Sequence, residues 1–203
     1  MTQLRELNQA VTTVTEPSKE PISLPKTKTH LQYQVDTQDV DSHLNLLIRA
    51  TRRWAEQQYT ARAFIDQTLL LTLDDLPGDT IKVPRPPLSS VNSVKLLDED
   101  GTTTTVSSSK YRVNTDNEPG KIVLKDDESW PSFSAQSTQG VEVEFDAGYG
   151  PDRKDVPEDI RTALLQHVNH LFDNRSPVTE EGVPREVPFT VESLLMPYRI
   201  WQF

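Results

Sequence analysis

The chain has 203 residues, enough for one domain or one domain with a sizeable insertion, and long enough to bury a core. Apolar residues make up 34% of it and prolines number 15, which points to a modest core with long loops or tails. The absence of cysteine excludes disulfides and thiolate metal sites, and the formal net charge of −10 argues against a surface that grips nucleic acid, because phosphate contacts need clustered Lys and Arg. No apolar run approaches the length of a membrane span, and the first residues lack the basic-then-apolar order of a secretory signal. A soluble protein of a reducing compartment is expected, held together by packing or by assembly.

Residues 1–22 carry several Thr, Gln and Glu, two prolines and few large apolar groups, which predicts an extended N-terminal arm ordered by a neighbour. A short helix follows, with Ser23 as N-cap and Pro25 in its first turn, running to about Gln32. The clearest helix starts near residues 36–39, where aspartates suit a helix N-terminus. Val40, Leu44, Leu47, Ile48, Trp54, Ala55 and Tyr59 then recur at the spacing of one buried stripe, and Arg49, Arg52, Arg53 and Glu56 fall mostly beside or opposite it.

Over residues 66–149 the period becomes alternating. Strands are predicted at 68–73, 80–83, 90–97, 102–106 and 121–124. Pro84-Arg85-Pro86-Pro87 blocks continued ladder pairing, since proline has no amide donor. Asp98-Glu99-Asp100-Gly101 is a hairpin signal, and Pro119-Gly120 marks another turn. The best strand is the last: Val141, Val143, Phe145, Ala147 and Tyr149 alternate with Glu142, Glu144, Asp146 and Gly148, as in an antiparallel sheet buried on one side.

The helical period returns with Pro157 in a first turn and Asp155 as a cap candidate. Ile160, Ala163, Leu164, His167, Val168, Leu171 and Phe172 form one stripe ending near Asn174. A polar, proline-bearing loop spans 176–188, and a short helix from about Val191 leads into Pro197, Tyr198, Arg199, Ile200, Trp201 and Phe203. The fold class is α+β. A helical core over 23–65 and 151–196 brackets a β-rich insertion over 66–150, with an arm at 1–22 and a tail at 197–203. Packing the flanking helices together would leave the sheet as a projecting subdomain.

Few constellations suggest chemistry. His167, His170 and Asp173 share helical spacing that could converge on a metal, but His167 lies on the apolar stripe and no strong third ligand is evident. Asp98, Asp100 and Gly101 resemble a calcium loop faintly, and the twelfth position from Asp98 is Ser109 where a Glu is required. The carboxylate row Glu142, Glu144 and Asp146 could serve glycoside hydrolysis, although strand-period acids more often form a solvated face. Pro84-Arg85-Pro86-Pro87 reads as a rigid corner before a polyproline ligand. No nucleophile elbow, zinc-protease or dinucleotide motif occurs. No catalytic residue, cofactor or metal is expected. Tyr198, Ile200, Trp201 and Phe203 are large apolar groups near a chain end, and an arginine among aromatics matches an interface hot spot; folding back onto the chain's own core is the equal alternative.

A series of stretches resembles the phage head–tail connector (adaptor) proteins, in their gp6-like and phiE125 gp8-like branch. In order they are Ser23-Leu24 with Leu31, Leu44 with Leu47-Ile48 and Ala50, Trp54-Ala55-Glu56, Leu73, Pro84-Arg85-Pro86-Pro87-Leu88 and Val91-Asn92-Ser93-Val94. Tyr111-Arg112-Val113, Pro119-Gly120-Lys121-Ile122, Trp130-Pro131, Val141-Glu142-Val143 and Ala147-Gly148-Tyr149-Gly150 follow. Val156-Pro157, Ile160-Arg161, Asn174-Arg175, Val187-Pro188 and the run Leu194-Leu195-Met196-Pro197-Tyr198-Arg199-Ile200-Trp201 close the series. The likeness covers residues 22–203, and its weight lies in the shared order.

The resemblance implies a helical bundle of connector type with an antiparallel β insertion between the long helices. It implies a structural subunit of a homo-oligomeric ring, commonly a dodecamer, in the virion neck, assembled in the bacterial host cytoplasm. The ring would dock on the portal, meet a stopper or tail-completion protein below, and form part of a conduit through which DNA passes without specific binding. It implies that the C-terminal segment docks on the portal, here Pro197, Tyr198, Arg199, Ile200, Trp201 and Phe203. Another neck role, stopper or tail completion, is the alternative, and a carbohydrate-active enzyme on the acidic strand a more distant one.

Overall fold

The computed structural model describes residues 9–32, 38–135, 138–174 and 187–200, which divide into a β unit (9–17 and 66–149) and a helical unit (18–65 and 150–200). In the β unit, β1 (Gln9–Thr15), β2 (Gln67–Leu73), β4 (Leu88–Leu97), β5 (Thr103–Thr105) and β8 (Val141–Ala147) form an antiparallel sheet of order β1-β2-β8-β4-β5. β2 and β8 each bury every second residue, and their register sets Leu69 against Phe145, Leu71 against Val143 and Leu73 against Val141. The alternation read in the sequence is therefore the alternation of the core.

A second antiparallel sheet, of order β3-β7-β6, holds β3 (Thr80–Val83), β6 (Tyr111–Asn114) and β7 (Gly120–Leu124). Alternation reports which face of a strand is buried and says nothing of its partner, so two sheets stand where the pattern suggests one. Ile81, Val83, Tyr111 and Ile122 are the buried side chains of this smaller sheet. Gly120 sits where a Cβ would come within 2.5 Å of the Leu88 side chain, so a larger residue there would displace Leu88.

Residues 9–15, inside the expected N-terminal arm, are strand β1, antiparallel to β2 from Gln9 opposite Leu73 to Thr15 opposite Thr68. Val11 and Val14 are three apart, which breaks the period of two and hides the strand in the sequence. A register shift between Thr13 and Thr15 takes up the odd spacing.

In the helical unit, α1 (Leu24–His30) starts as expected: the Lys26 amide donates to Ser23 Oγ at 3.4 Å and Pro25 occupies the first turn. α2 (Gln38–Trp54) continues into a π-helical turn (Ala55–Tyr59), closed by the Thr60 amide and hydroxyl on the Ala55 carbonyl at 2.8 and 2.7 Å. α3 (Glu158–Asp173) buries Ile160, Ala163, Leu164, Leu165, His167 and Val168. Asp155 does not cap it. Its carboxylate accepts the Asp152 amide at 2.9 Å, closing the 3₁₀ turn Arg153–Asp155 ahead of the helix. α4 (Phe189–Leu195) buries Val191 and Leu195 and runs into a 3₁₀ turn (Met196–Tyr198).

One correction changes the reading of α2. Arg49 and Arg53 are exposed, but Arg52 and Glu56 are buried. Arg52 lies between Ile48 and Ala55 on the helix surface, at the margin of the apolar stripe, and two carboxylates there allow its charge to be buried.

Candidate docking surface

The C-terminal segment is fixed to the helical unit from several sides. Val191 and Leu195, one turn apart, are fully buried. The Tyr59 hydroxyl donates to the Glu192 carbonyl at 3.1 Å, and the Arg62 guanidinium donates through Nε to the Tyr198 carbonyl. The Tyr198 hydroxyl donates to Asp159 Oδ2 at 3.3 Å, the Ile200 amide donates to the Thr60 carbonyl at 2.9 Å, and the Arg199 guanidinium lies 5.5 Å from the centre of the Tyr59 ring. Burial raises the pKa of both tyrosines, helped at Tyr198 by Asp159 and at Tyr59 by Glu192, so both stay protonated donors near neutral pH.

The opposite side of this segment is bare. Phe189 is 81% exposed and Met196 59%; they are seven residues apart, close to two helical turns, and share one face. Of the six residues expected to dock, Tyr198, Arg199 and Ile200 are bound to their own unit, Pro197 is exposed beside Met196, and Trp201 and Phe203 lie outside the described residues. Phe189 escaped notice because it lies upstream of the tail, at the edge of a polar loop. Its signal was a large aromatic with no place in the Val191–Leu195 stripe.

A buried ion network braces the turn that receives the tail. Arg52 donates through Nε to Glu20 Oε2 at 2.8 Å and through Nη1 to Glu56 Oε2 at 2.7 Å, and Glu56 Oε1 accepts the Phe64 amide at 2.7 Å. Burial works against the Arg52 charge, but Glu56 and Glu20 outweigh it and hold the guanidinium above its ordinary pKa. Burial also pushes the Glu56 carboxyl up, while Arg52 and the Phe64 N–H pull it down. The network joins the chain before α1, the end of α2 and the segment after the π turn, which carries Thr60 and Arg62, the anchors of the tail.

The remaining sequence candidates are structural. His167 is 4% exposed, its ring stands edge-on to Trp54 at 4.4 Å, and burial, then His170, lowers its pKa to about 4. Among the described residues no three His, Cys, Asp or Glu side chains form a metal-ligating group. Asp98 and Asp100 shape a hairpin: the Gly101 amide donates to the Asp98 carbonyl at 2.9 Å, the Thr102 amide donates to Asp100 Oδ1 at 2.8 Å, and Gly101 has a φ of +85°. On the acidic face of β8, Asp146 accepts from Thr68 at 2.7 Å and from Ser90 and Asn92 at 3.2 Å, while Glu142 pairs across the ladder with Thr72 and Lys95. The row is thus spread along one sheet face, with Asp146 bonded to hydroxyl and amide neighbours and Glu142 opposite a lysine. Pro84-Arg85-Pro86-Pro87 makes the corner between β3 and β4, with Arg85 at a φ of +62° and the Pro87 carbonyl accepting the Gly148 amide at 3.0 Å.

No protein-family model matches the sequence, and no curated protein matches it. Solved structures do. The chain is 22% identical, over 96% of its length and 97% of the other chain, to a chain in the neck of an empty GTA particle computed with C6 symmetry, with a TM-score of 0.76. A chain in the virion of a native gene transfer agent particle is also 22% identical, with 95% and 96% covered and a TM-score of 0.76. A chain in the neck of a native GTA particle computed with C12 symmetry gives 22% identity, 96% and 97% covered and a TM-score of 0.72. Helical unit and β unit together are therefore one shared fold, end to end the fold of a chain found in gene transfer agent necks.

Proposed function

We propose that this chain is a structural subunit of a phage or gene-transfer-agent neck, a head–tail adaptor of the gp6-like or gp8-like kind. It forms a homo-oligomeric ring, docks on the portal and lines part of the DNA conduit. The observation that carries the reading is the likeness to neck chains over nearly the full length of both partners. The order of motifs over residues 22–203 supports it independently. The acids of β8 lie on one sheet face, where Asp146 is bonded to Thr68, Ser90 and Asn92, which favours a structural role over the carbohydrate-active reading.

In this reading the C-terminal segment is the portal anchor. Tyr198, Arg199 and Ile200 hold it to the helical unit, and Phe189, Met196 and Pro197 are exposed apolar groups of the same segment. Large apolar groups around an arginine are the composition of binding hot spots.

The test mixes the purified chain with the portal protein of its own particle, beside a variant ending at Met196, and follows association by size and electron microscopy. Binding that needs the last seven residues supports adaptor and anchor together. Binding that survives the truncation keeps the adaptor and removes the anchor. If chain and well-formed portal rings stay apart while tail components bind, the stopper or tail-completion role replaces it.

A further inference from the structure

We propose that the outer edge of β1 is an assembly edge, which pairs with the outer edge of β5 in a second copy of this chain. The proposal rests on the ring reading and names a contact between neighbours. β1 and β5 are the two ends of the sheet β1-β2-β8-β4-β5, so their outer edges lie on opposite sides of it by construction. Among the described residues no strand pairs on the far side of either. Edges that stay unpaired normally carry a lysine, a proline or an inward-turned charge as a guard. Gln9–Thr15 holds no charge and no proline, and Val11, Thr12, Thr13, Val14 and Thr15 are all β-branched. Every residue of the strand except the half-covered Val11 is exposed, and Val14 is an apolar group 54% open to water. The register shift comes after Thr13, so Gln9 to Thr13 remain a regular ladder. β5 is short, and Thr102 to Val106 around it are uncharged as well.

The ladder fixes which backbone groups point outward, because successive residues of an antiparallel strand bond alternately to one side and the other. The Leu97 amide donates to the Gly140 carbonyl at 2.9 Å, so Gly140 and Glu142 turn to β4, and Val141, Val143 and Phe145 turn to β2. Their partners Leu73, Leu71 and Leu69 therefore face β8, while Thr72 and Leu70 face β1, opposite Ala10 and Thr12. The N–H and C=O groups of Gln9, Val11 and Thr13 are left pointing away from the sheet. At the other edge the Asp98 amide donates to the Thr102 carbonyl at 2.9 Å and the Val106 amide to the Val94 carbonyl at 2.8 Å, so Thr103 and Thr105 are the outward pair.

Every pairing in the sheet is antiparallel, so across five strands β1 and β5 run in the same direction. A neighbour related by a small ring rotation keeps that direction and sets Thr103 and Thr105 beside Gln9 to Thr13 as a parallel ladder. Two β1 edges meet only about a two-fold axis, which closes a dimer and stops there. Charge favours these edges too. Copies with a net charge of −10 repel, and an uncharged strand edge is where they approach at least cost. The contact is a few ladder bonds, too small to join free chains; it sets the register of neighbours that other contacts hold.

Hydrogen exchange read residue by residue tests the contact. In the free chain the Gln9, Val11 and Thr13 amides are expected to exchange fast while Ala10 and Thr12 are protected, and in rings assembled on the portal at least two of the first three slow by about tenfold or more. The chain has no cysteine, so thiols can be placed at will. Thr13→Cys with Thr103→Cys, treated with a short bismaleimide, is expected to give a ladder of covalent multimers in those rings, and either single variant none. Val11→Pro removes an outward amide and leaves Ala10 and Thr12 protected on β2; in the double-cysteine chain it lowers the cross-linked yield by about tenfold or more. Rings visible by electron microscopy with neither protection nor ladder overturn the contact and leave the ring reading intact. Protection of Gln9, Val11 and Thr13 already in the free chain means that one chain covers its own edge, and overturns it. Dimers from Thr13→Cys alone pair β1 with β1 and overturn it too, as does protection in the ring without cross-links, which gives the edge to another partner. If the unaltered chain forms no ring with its portal, the ring reading fails, and the contact with it.

Discussion

Arg52 ties three parts of the helical unit together. Buried itself, it pairs with the buried Glu56 and the half-buried Glu20, and Glu56 in turn holds the Phe64 amide. A buried charge stripped of its partner costs far more than the intact pair contributes. Arg52→Ala strands the buried Glu56 carboxylate and is expected to lower unfolding stability by roughly 3–5 kcal/mol. Adding Glu56→Gln removes one stranded charge while keeping an acceptor for the Phe64 N–H, and should recover more than half of that loss. Urea titrations of the wild type, the single and the double variant measure this; equal stability of single and double would disprove the stranded-charge account. The stripe in the sequence placed α2 correctly, but its charged margin was not legible. Arg52 and Glu56 look like any solvated i, i+4 pair until Glu20, 32 residues before Arg52, arrives beside them.

At the scale of elements, β2, β3, β4, β5, β7 and β8 fall where strands were expected, and β1 and β6 were not read. β2 and β8 bury every second side chain, and their pattern survives in the residue letters. β1 has one half-covered residue, Val11, in seven, and β6 buries only Tyr111, so neither carries a period to read. β1 nonetheless completes the ladder of β2, which would otherwise be a sheet edge between Gln67 and Leu73. Removing residues 1–16 is expected to release the β2 amides that bond to β1, speeding their hydrogen exchange by about tenfold or more, while β8, still flanked by β2 and β4, keeps its protection. Uniform exchange in both strands would mean that the sheet unfolds as one body without β1. Continued protection of all β2 amides would mean that β1 contributes nothing. An exposed β2 edge also predicts association at high protein concentration, because unpaired N–H and C=O groups template further strands.

For the whole molecule, the order helix, helix, strands, helix, short helix from residue 23 onward was legible because two periods, near 3.6 and 2, alternate along the chain; the strand β1 that precedes it was not. The bare face formed by Phe189 and Met196 was not, since it depends on which side of a seven-residue helix is buried. Charge is the property that belongs to the molecule rather than to any part. With 31 acidic against 21 basic residues, the long-range field repels a phosphate backbone. Under the proposed neck role this charge suits a conduit, because DNA held at many points would not slide. Proteins that bind DNA without sequence preference do so at about 10⁻⁴–10⁻⁶ M under physiological salt, by releasing counterions with clustered cations. The free chain is expected to bind a labelled duplex more weakly than that range in fluorescence anisotropy, and Arg49→Glu with Arg53→Glu should leave the result unchanged. Micromolar binding that weakens steeply with salt, and disappears with those two substitutions, would make Arg49 and Arg53 a DNA contact.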